Sequence, residues 1–235
     1  MASAYFDFKQ FRVYHDRCAQ KVGTDGVVLG AWARVEGSNH ILDIGTGSGL
    51  IALMVAQRVP DAHVIGVDID ADAVGQAREN VAASPFAERI SIVHSDVRNY
   101  ANYESLRFDH IICNPPFYTE DTLPPDSTRA LARNASLLPF DELISAAKIL
   151  LAPGGCFSVM LPIACRDSFT VLCEASGLHP VRECTVQTVV RKAPKRILIT
   201  YSNMRVDVVE KESLILQTGN EKSEAYKYLA RDFYL

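Results

Sequence analysis

Asn114-Pro115-Pro116-Phe117 follows a short apolar run, Phe108-Asp109-His110-Ile111-Ile112-Cys113. Asn114 offers a side-chain oxygen and Pro115 a main-chain carbonyl, two neighbouring acceptors on a backbone that the prolines restrict. Such a pair suits a planar amino group, which carries two N–H donors and a lone pair delocalised into its ring. Accepting from both N–H groups draws the nitrogen toward sp3 geometry and aims the lone pair. Phe117 can stack on a flat base. Proline also ends a central strand, so the same residues make a rigid exit turn whether or not a substrate sits there.

A second group lies upstream. Asp43-Ile44-Gly45-Thr46-Gly47-Ser48-Gly49 is a glycine-rich turn that lets backbone N–H groups approach a ligand. Roughly twenty residues on, Asp68-Ile69 ends another apolar run, where a carboxylate can accept from two ribose hydroxyls. Asp96-Val97 ends a third run, where a carboxylate can meet an adenine amino group. Each aspartate is also a plausible helix cap. Glycine turns of this kind serve dinucleotides, nucleotides and S-adenosylmethionine alike. The spacing here is D-x-G-x-G-x-G, not the G-x-G-x-x-G of dinucleotide loops, and no G-x-x-x-x-G-K-[ST] run occurs. A carboxylate at Asp43 disfavours pyrophosphate and could help place a cationic methionine moiety.

These groups need elements to bring them together. His40–Ile44, His63–Asp68, Arg89–His94, Phe108–Cys113 and Cys156–Leu161 read as strands. Leu50–Val59, Asp72–Ala83 and Pro139–Leu151 read as amphipathic helices between them. Alternation of this kind predicts an α/β, doubly wound, mostly parallel sheet, with ligands outside the carboxyl ends of the strands. Val186–Val190 and Ile197–Tyr201 leave no room for a helix, so an antiparallel hairpin is expected to complete a Rossmann-like sheet of about seven strands. One domain over residues 1–235 is expected, with residues 1–38 as an N-terminal extension packed on it and contributing to the ligand site. Within that extension, Lys21–Gly30 reads as a turn carrying Thr24 and Asp25 and leading into a helix.

The composition is that of a globular chain, with 48% hydrophobic and 22% charged residues in 235, which excludes wholesale disorder. The first nine residues lack the basic-then-apolar layout of a signal peptide, and no apolar run is long enough for a membrane span. A cytoplasmic protein is therefore expected. The six cysteines form no close C-x-x-C pair, so neither a metal site nor a disulfide framework is expected. A net charge of -4 does not advertise nucleic-acid binding, although an acidic body can carry a local basic patch. Arg191, Lys192, Lys195 and Arg196 would form such a patch at the hairpin tip. The long polar segment Thr119–Leu138, with Arg129 and Arg133, could form a substrate lid.

From Asp43 to about Leu161 the chain resembles the class I S-adenosylmethionine-dependent methyltransferases. That resemblance implies S-adenosylmethionine as cofactor, with Asp68 on its ribose and Asp96 near its adenine. Thr24, Asp25, Asp43, Gly45, Gly47, Gly49, Ile69, Val97 and Asn114 complete the expected cofactor set. Asn-Pro-Pro-Phe at this strand end resembles the amino-methyltransferases of adenine, cytosine and glutamine. It implies Asn114 and Pro115 as acceptors, Pro116 as a backbone brace and Phe117 as the platform. In-line attack on a sulfonium methyl would then need neither a metal nor a covalent intermediate, with positioning supplying most of the rate.

The whole chain further resembles the bacterial tRNA(Val) (adenine-37-N6)-methyltransferases. The matching stretches are Phe8-Lys9-Gln10-Phe11, Lys21–Gly30, Asp43–Gly49, Asn114–Phe117, Arg129-Ala130-Leu131-Ala132-Arg133 and Tyr228–Leu235. This implies methyl transfer to N6 of an unpaired anticodon-loop adenine, which costs less to unstack than a base in duplex DNA. Asn134 departs from the pattern, which has histidine there. Rival readings are a protein glutamine N5-methyltransferase, which would carry a helical domain before the glycine loop, and a binding module without chemistry. A DNA methyltransferase would need a target-recognition domain for which the chain has no room, and a dehydrogenase would bind NAD instead.

Overall fold

A computed structural model describes residues 4–18, 21–115 and 138–235. The central strands of its main sheet carry few side chains suited to water. The first is β3 (His40–Ile44), followed by α2 (Leu50–Arg58), β4 (His63–Asp68), α3 (Ala71–Ala82), β5 (Ile90–His94), α4 (Val97–Tyr103) and β6 (Phe108–Cys113). Further along come α5 (Phe140–Leu150), β7 (Leu151–Pro162), α6 (Arg166–Ala175), β8 (His179–Val189) and β9 (Arg196–Ser202). Ahead of them lie β1 (Tyr5–Asp7), β2 (Arg12–Tyr14) and α1 (Thr24–Trp32); behind them β10 (Glu210–Thr218), β11 (Glu221–Lys222) and α7 (Glu224–Leu229).

The strand order is β11-β10-β8-β9-β7-β6-β3-β4-β5. The expected doubly wound sheet and the β8–β9 hairpin are both present. β9 runs antiparallel between β7 and β8, while β3 to β8 and β10 run parallel. The sheet is wider than the expected seven strands because β10 and β11 extend the β8 edge.

Both faces are covered, which is why the central strands are apolar throughout rather than alternating with polar residues. Ile112, Met160 and Leu198 point into one core with residues of α1, α2 and α3. Their neighbours Ile111, Cys113, Val159, Leu161, Ile197 and Ile199 point into the other, with α4, α5 and α6. The β1–β2 hairpin is closed against the carboxyl-terminal segment. Lys9 N–H donates to Phe233 O at 2.8 Å, and the Phe8 and Tyr234 rings stack with centroids 6.2 Å apart. Among the described residues no helix is long and apolar enough to cross a membrane.

The order of strands sets the functional edge. The chain travels outward from β3 to β4 and β5, then returns to place β6 on the other side of β3. The switch point lies between β3 and β6. Ile44 pairs with Cys113, so Gly45 and Asn114 leave the sheet side by side. Ile44 also pairs with Val67, and Asp68 with His94, which brings the ends of β4 and β5 to the same edge.

Candidate active site

The glycine turn opens on a buried acid. Asp43 is 1% exposed, and its Oδ2 accepts from Thr46 Oγ1 at 2.7 Å and from Ala52 N–H at 3.2 Å. It therefore ties the turn to the first turn of α2. Burial pushes the Asp43 carboxyl up to about 7, an effect its two donors oppose. Its Oδ1 is buried and has no partner among the described residues.

Gly45 and Gly47 adopt φ of 70° and 54°, a region where a Cβ is strained, and a Cβ at either would meet no atom within 4 Å. The turn thus presents bare backbone to open space. Asp68 braces it from β4: Oδ2 accepts from Gly47 N–H at 2.8 Å, and Oδ1 from Asp70 N–H at 3.0 Å. Gly49, also at positive φ, is the N-cap of α2.

Asp96 caps α4, accepting from Arg98 N–H at 2.9 Å, and pairs with the Arg98 guanidinium, which reaches on to Glu142 at 2.6 Å. That guanidinium holds the Asp96 carboxyl below the usual range. Ile69 is half exposed, its carbonyl 3.0 Å from His94 Nε2. Val97 instead turns its side chain into the core.

A cleft of about 510 Å³ gathers much of the rest. Its walls are Lys21 to Gly26, Gly45 to Ser48, Leu50, Ile51, Asn114, Pro115 and Arg196. Thr24, Asp25, Gly45, Gly47, Asn114 and Pro115 are thereby brought together. Asp43, Gly49, Asp68, Ile69, Asp96 and Val97 stand on the same sheet edge without lining this cleft. Pro116, Phe117, Arg129 and Arg133 lie outside the described residues.

Arg196 differs from its expected company. Arg191, Lys192 and Lys195 are exposed at the β8–β9 tip. Arg196 is instead the first residue of β9, paired with Pro162 and Val186, and its Nε donates to Asp25 Oδ2 at 3.0 Å. The register, invisible to a count of cations, turns it into the cleft.

Two further residues support the cleft from behind. Gln76 and Asn80, each 1% exposed, sit one turn apart on α3. Gln76 accepts from Arg17 N–H at 3.0 Å and donates to Asp16 at 2.6 Å. Asn80 donates to Tyr14 O and Ser48 O, both at 2.8 Å, and accepts from Tyr14 N–H at 2.9 Å. They fasten the segment before α1 to the helix that follows Asp68. A polar i, i+4 pair bordering the Ala73–Ala77 stripe is the sequence signal for this role.

Residues 27–161 match the family model of the methyltransferase small domain, more than half of the chain. The tRNA1(Val) (adenine(37)-N6)-methyltransferase of Bacteroides fragilis is 45% identical over 100% of this chain and 99% of its own length. The protein of the same name from Phocaeicola vulgatus is 46% identical, with the same coverage. The crystal structure of a predicted O-methyltransferase from Agrobacterium tumefaciens superposes with a TM-score of 0.70 at 19% identity, covering 89% of this chain and 96% of that one. The last shares the fold; the first two share the sequence from end to end. The chain belongs to the methyltransferase small domain family and to the tRNA1(Val) (adenine(37)-N6)-methyltransferases.

Proposed function

We propose that the chain, as a single methyltransferase domain, transfers a methyl group from S-adenosylmethionine to N6 of adenine-37 in the anticodon loop of a valine tRNA, in the cytoplasm. The observation that carries this is the side-by-side exit of Gly45 and Asn114 from the sheet, one at each side of the switch point and both lining one cleft. A cofactor on the glycine turn and an amine on Asn114 are then neighbours.

The residues present fit the cofactor. Gly45 and Gly47 offer open backbone where a Cβ would intrude on a ligand, and Asp43 Oδ1 is a buried acceptor with no described donor. Asp68 would hold the ribose while bracing Gly47, and Asp96 would stand near the adenine. Asp43, behind the turn, favours a cationic methionine end through the low dielectric around it. Bound S-adenosylmethionine supplies an electrophilic methyl on sulfonium.

The chain's own work is to aim the amine. Asn114 Oδ1 and Pro115 O would accept the two N–H groups of the exocyclic amine, and Phe117 would stack on the ring. The proton leaves once the nitrogen is alkylated and acidic, so no strong base is required of the chain. Arg191, Lys192 and Lys195 would meet RNA phosphates beside the cleft, together with Arg129 and Arg133. The glutamine alternative is disfavoured because the described residues before β3 form two short strands and one helix.

Methylation of total unmodified tRNA with methyl-labelled cofactor, followed by nucleoside analysis, tests the reading. Labelled N6-methyladenosine in a valine tRNA is expected. Label in protein glutamine instead, or none in tRNA, would overturn it.

A further inference from the structure

Phe8-Lys9-Gln10-Phe11 and Tyr228–Leu235 take no part in the chemistry derived above, yet the fold brings them together. Lys9 Nζ donates to Arg231 O at 2.6 Å. The Arg231 guanidinium lies 4.1 Å over the ring of Tyr228, which is 70% exposed. Lys222 in β11 and Lys227 in α7 are exposed a few residues earlier.

This segment adjoins the basic tip. Lys222 pairs with Gln217, and Gln217 with Val189, where β8 runs into the tip. Three strands in one row span about 10 Å, so Lys222 stands about that far from the base of the tip. On its other side α7 packs on α1, whose first turn carries Thr24 and Asp25 of the cleft wall. The tip, β11 and α7 thus form one flank of the cleft.

The two flanks differ in charge. Lys9, Lys222, Lys227 and Arg231 stand among Glu221, Glu224 and Asp232, and the tip adds three more cations. Lys227 Nζ donates to Glu224 at 2.9 Å, and Arg231 lies 3.8 Å from Asp232. Exposed pairs of this kind hold their partners weakly, so a phosphate can compete for the cations. The opposite flank, where β4 ends and α3 begins, carries Asp68, Asp70 and Asp72, and Arg17 there is paired with Glu79. A polyanion entering the cleft would be repelled on that side and drawn to this one. Lysines spaced around an exposed tyrosine suit a sugar–phosphate backbone, whereas protein interfaces are depleted of lysine.

We infer that β11, α7 and Arg231 form a second RNA-binding surface, continuous with the tip, which takes the sugar–phosphate backbone of the stem that carries the target loop. The inference rests on the tRNA reading and extends its footprint from loop to stem. With a loop base in the cleft, the paired stem must leave over one flank, and an A-form helix is recognised through its phosphates and 2′-hydroxyls. Lys222, Lys227 and Arg231 would meet phosphates, and Tyr228 would lie against a ribose. Lys9 holds the Arg231 carbonyl and so sets where that guanidinium stands.

Filter binding of a valine tRNA to the full chain over a salt series tests this, with calorimetric titration of S-adenosylhomocysteine beside it. Lys222→Gln, Lys227→Gln and Arg231→Gln combined should weaken tRNA binding at least about tenfold and make its logarithmic salt dependence shallower by about 2, the order for three lost phosphate contacts. Tyr228→Ala should weaken binding about fivefold with an unchanged slope, because the ring carries no charge. Arg107→Gln, Lys148→Gln and Arg205→Gln combined make the same charge change toward the other edge of the sheet and should leave slope and affinity as in the wild type. S-adenosylhomocysteine affinity should stay within about twofold in every variant, since the sites are separate, and this shows that the cleft is folded. A wild-type slope in the first triple variant would overturn the inference, as would an equal change of slope in the second. A parallel loss of S-adenosylhomocysteine binding would overturn it too, by making the surface a support of the fold. A wild-type chain that bound S-adenosylhomocysteine but no tRNA would bring down the tRNA reading itself, an outcome distinct from the other three.

Discussion

Asp68 Oδ2 accepts a 2.8 Å hydrogen bond from the Gly47 backbone N–H, so the acid at the end of β4 holds the turn at the end of β3. One carboxylate thereby shapes the bare-backbone surface, and in the proposed site it would also hold the ribose. Asp68→Ala removes both effects. Binding of S-adenosylhomocysteine should weaken at least about tenfold, about the value of one charge-assisted hydrogen bond. Asp68→Asn, which keeps one acceptor oxygen, should fall between. An Asp68→Ala dissociation constant equal to the wild type by calorimetry would remove Asp68 from the site.

Asn114 leaves β6 beside Gly45 and is half-buried in the cleft wall. Its proposed oxygen acceptor acts on the amine and not on the cofactor. Asn114→Ala should therefore lower turnover about 100-fold or more, by analogy with loss of an oriented hydrogen-bonding group at other reaction centres. Cofactor affinity should stay within about threefold of the wild type on the same grounds. Single-turnover kinetics with saturating tRNA separates the two, and near-normal turnover would sink the aiming role.

Much of this site is written locally. His40–Ile44, His63–Asp68 and Phe108–Cys113 appear with the bounds read from the sequence, because strands buried on both faces are apolar and end at polar or glycine punctuation. The acids and glycines of the edge follow at once. Features held by distant partners are not written locally. β1 and β2 are three residues each and depend on contacts such as Lys9 with the Phe233 carbonyl. β10 begins with Glu210-Lys211-Glu212, a poor strand opening in isolation. Arg34 and Arg182 pair with those acids, and Arg182 also lies 4.1 Å over the Trp32 ring. β7 starts at Leu151 rather than Cys156, running through Pro153-Gly154-Gly155, which reads as a turn. The register shift between Phe108 and His110 absorbs the irregularity, with Gly154 at φ 76°. Arg196 is the costliest case: its chemistry depends on facing Pro162, and no local pattern carries that information.

The raised Asp43 carboxyl makes a pH prediction whose sign is definite. Its folded value of about 7 lies above the ordinary value of 3.8, so the folded ligand-free chain holds a proton there that the unfolded chain has lost. That contribution to stability is full below the ordinary value and is lost as pH rises toward 7. A cationic ligand end favours the ionised form. Cofactor binding should release a proton below pH 7, and affinity should rise with pH up to about 7 and then level, by at most about tenfold per pH unit. Asp43→Asn should flatten the profile. Calorimetry in buffers of different ionisation enthalpy measures the released proton directly, and a flat wild-type profile between pH 5.5 and 8, on the order of twofold or less, would refute the coupling.

Arg191, Lys192 and Lys195 are exposed at the β8–β9 tip and have no ion-pair partner among the described residues. On a chain of net charge -4 they would, in the proposed function, anchor phosphates next to Arg196, which lines the cleft. Replacing all three with glutamate should weaken tRNA binding and make its logarithmic salt dependence shallower by about 2, the order expected when three phosphate contacts are lost. S-adenosylhomocysteine binding should not change, since none of the three lines the cleft. Filter binding over a salt series checks the first outcome and calorimetry the second. A salt slope equal to the wild type would mean that the RNA reaches the cleft along another face, leaving the tip as solvated surface.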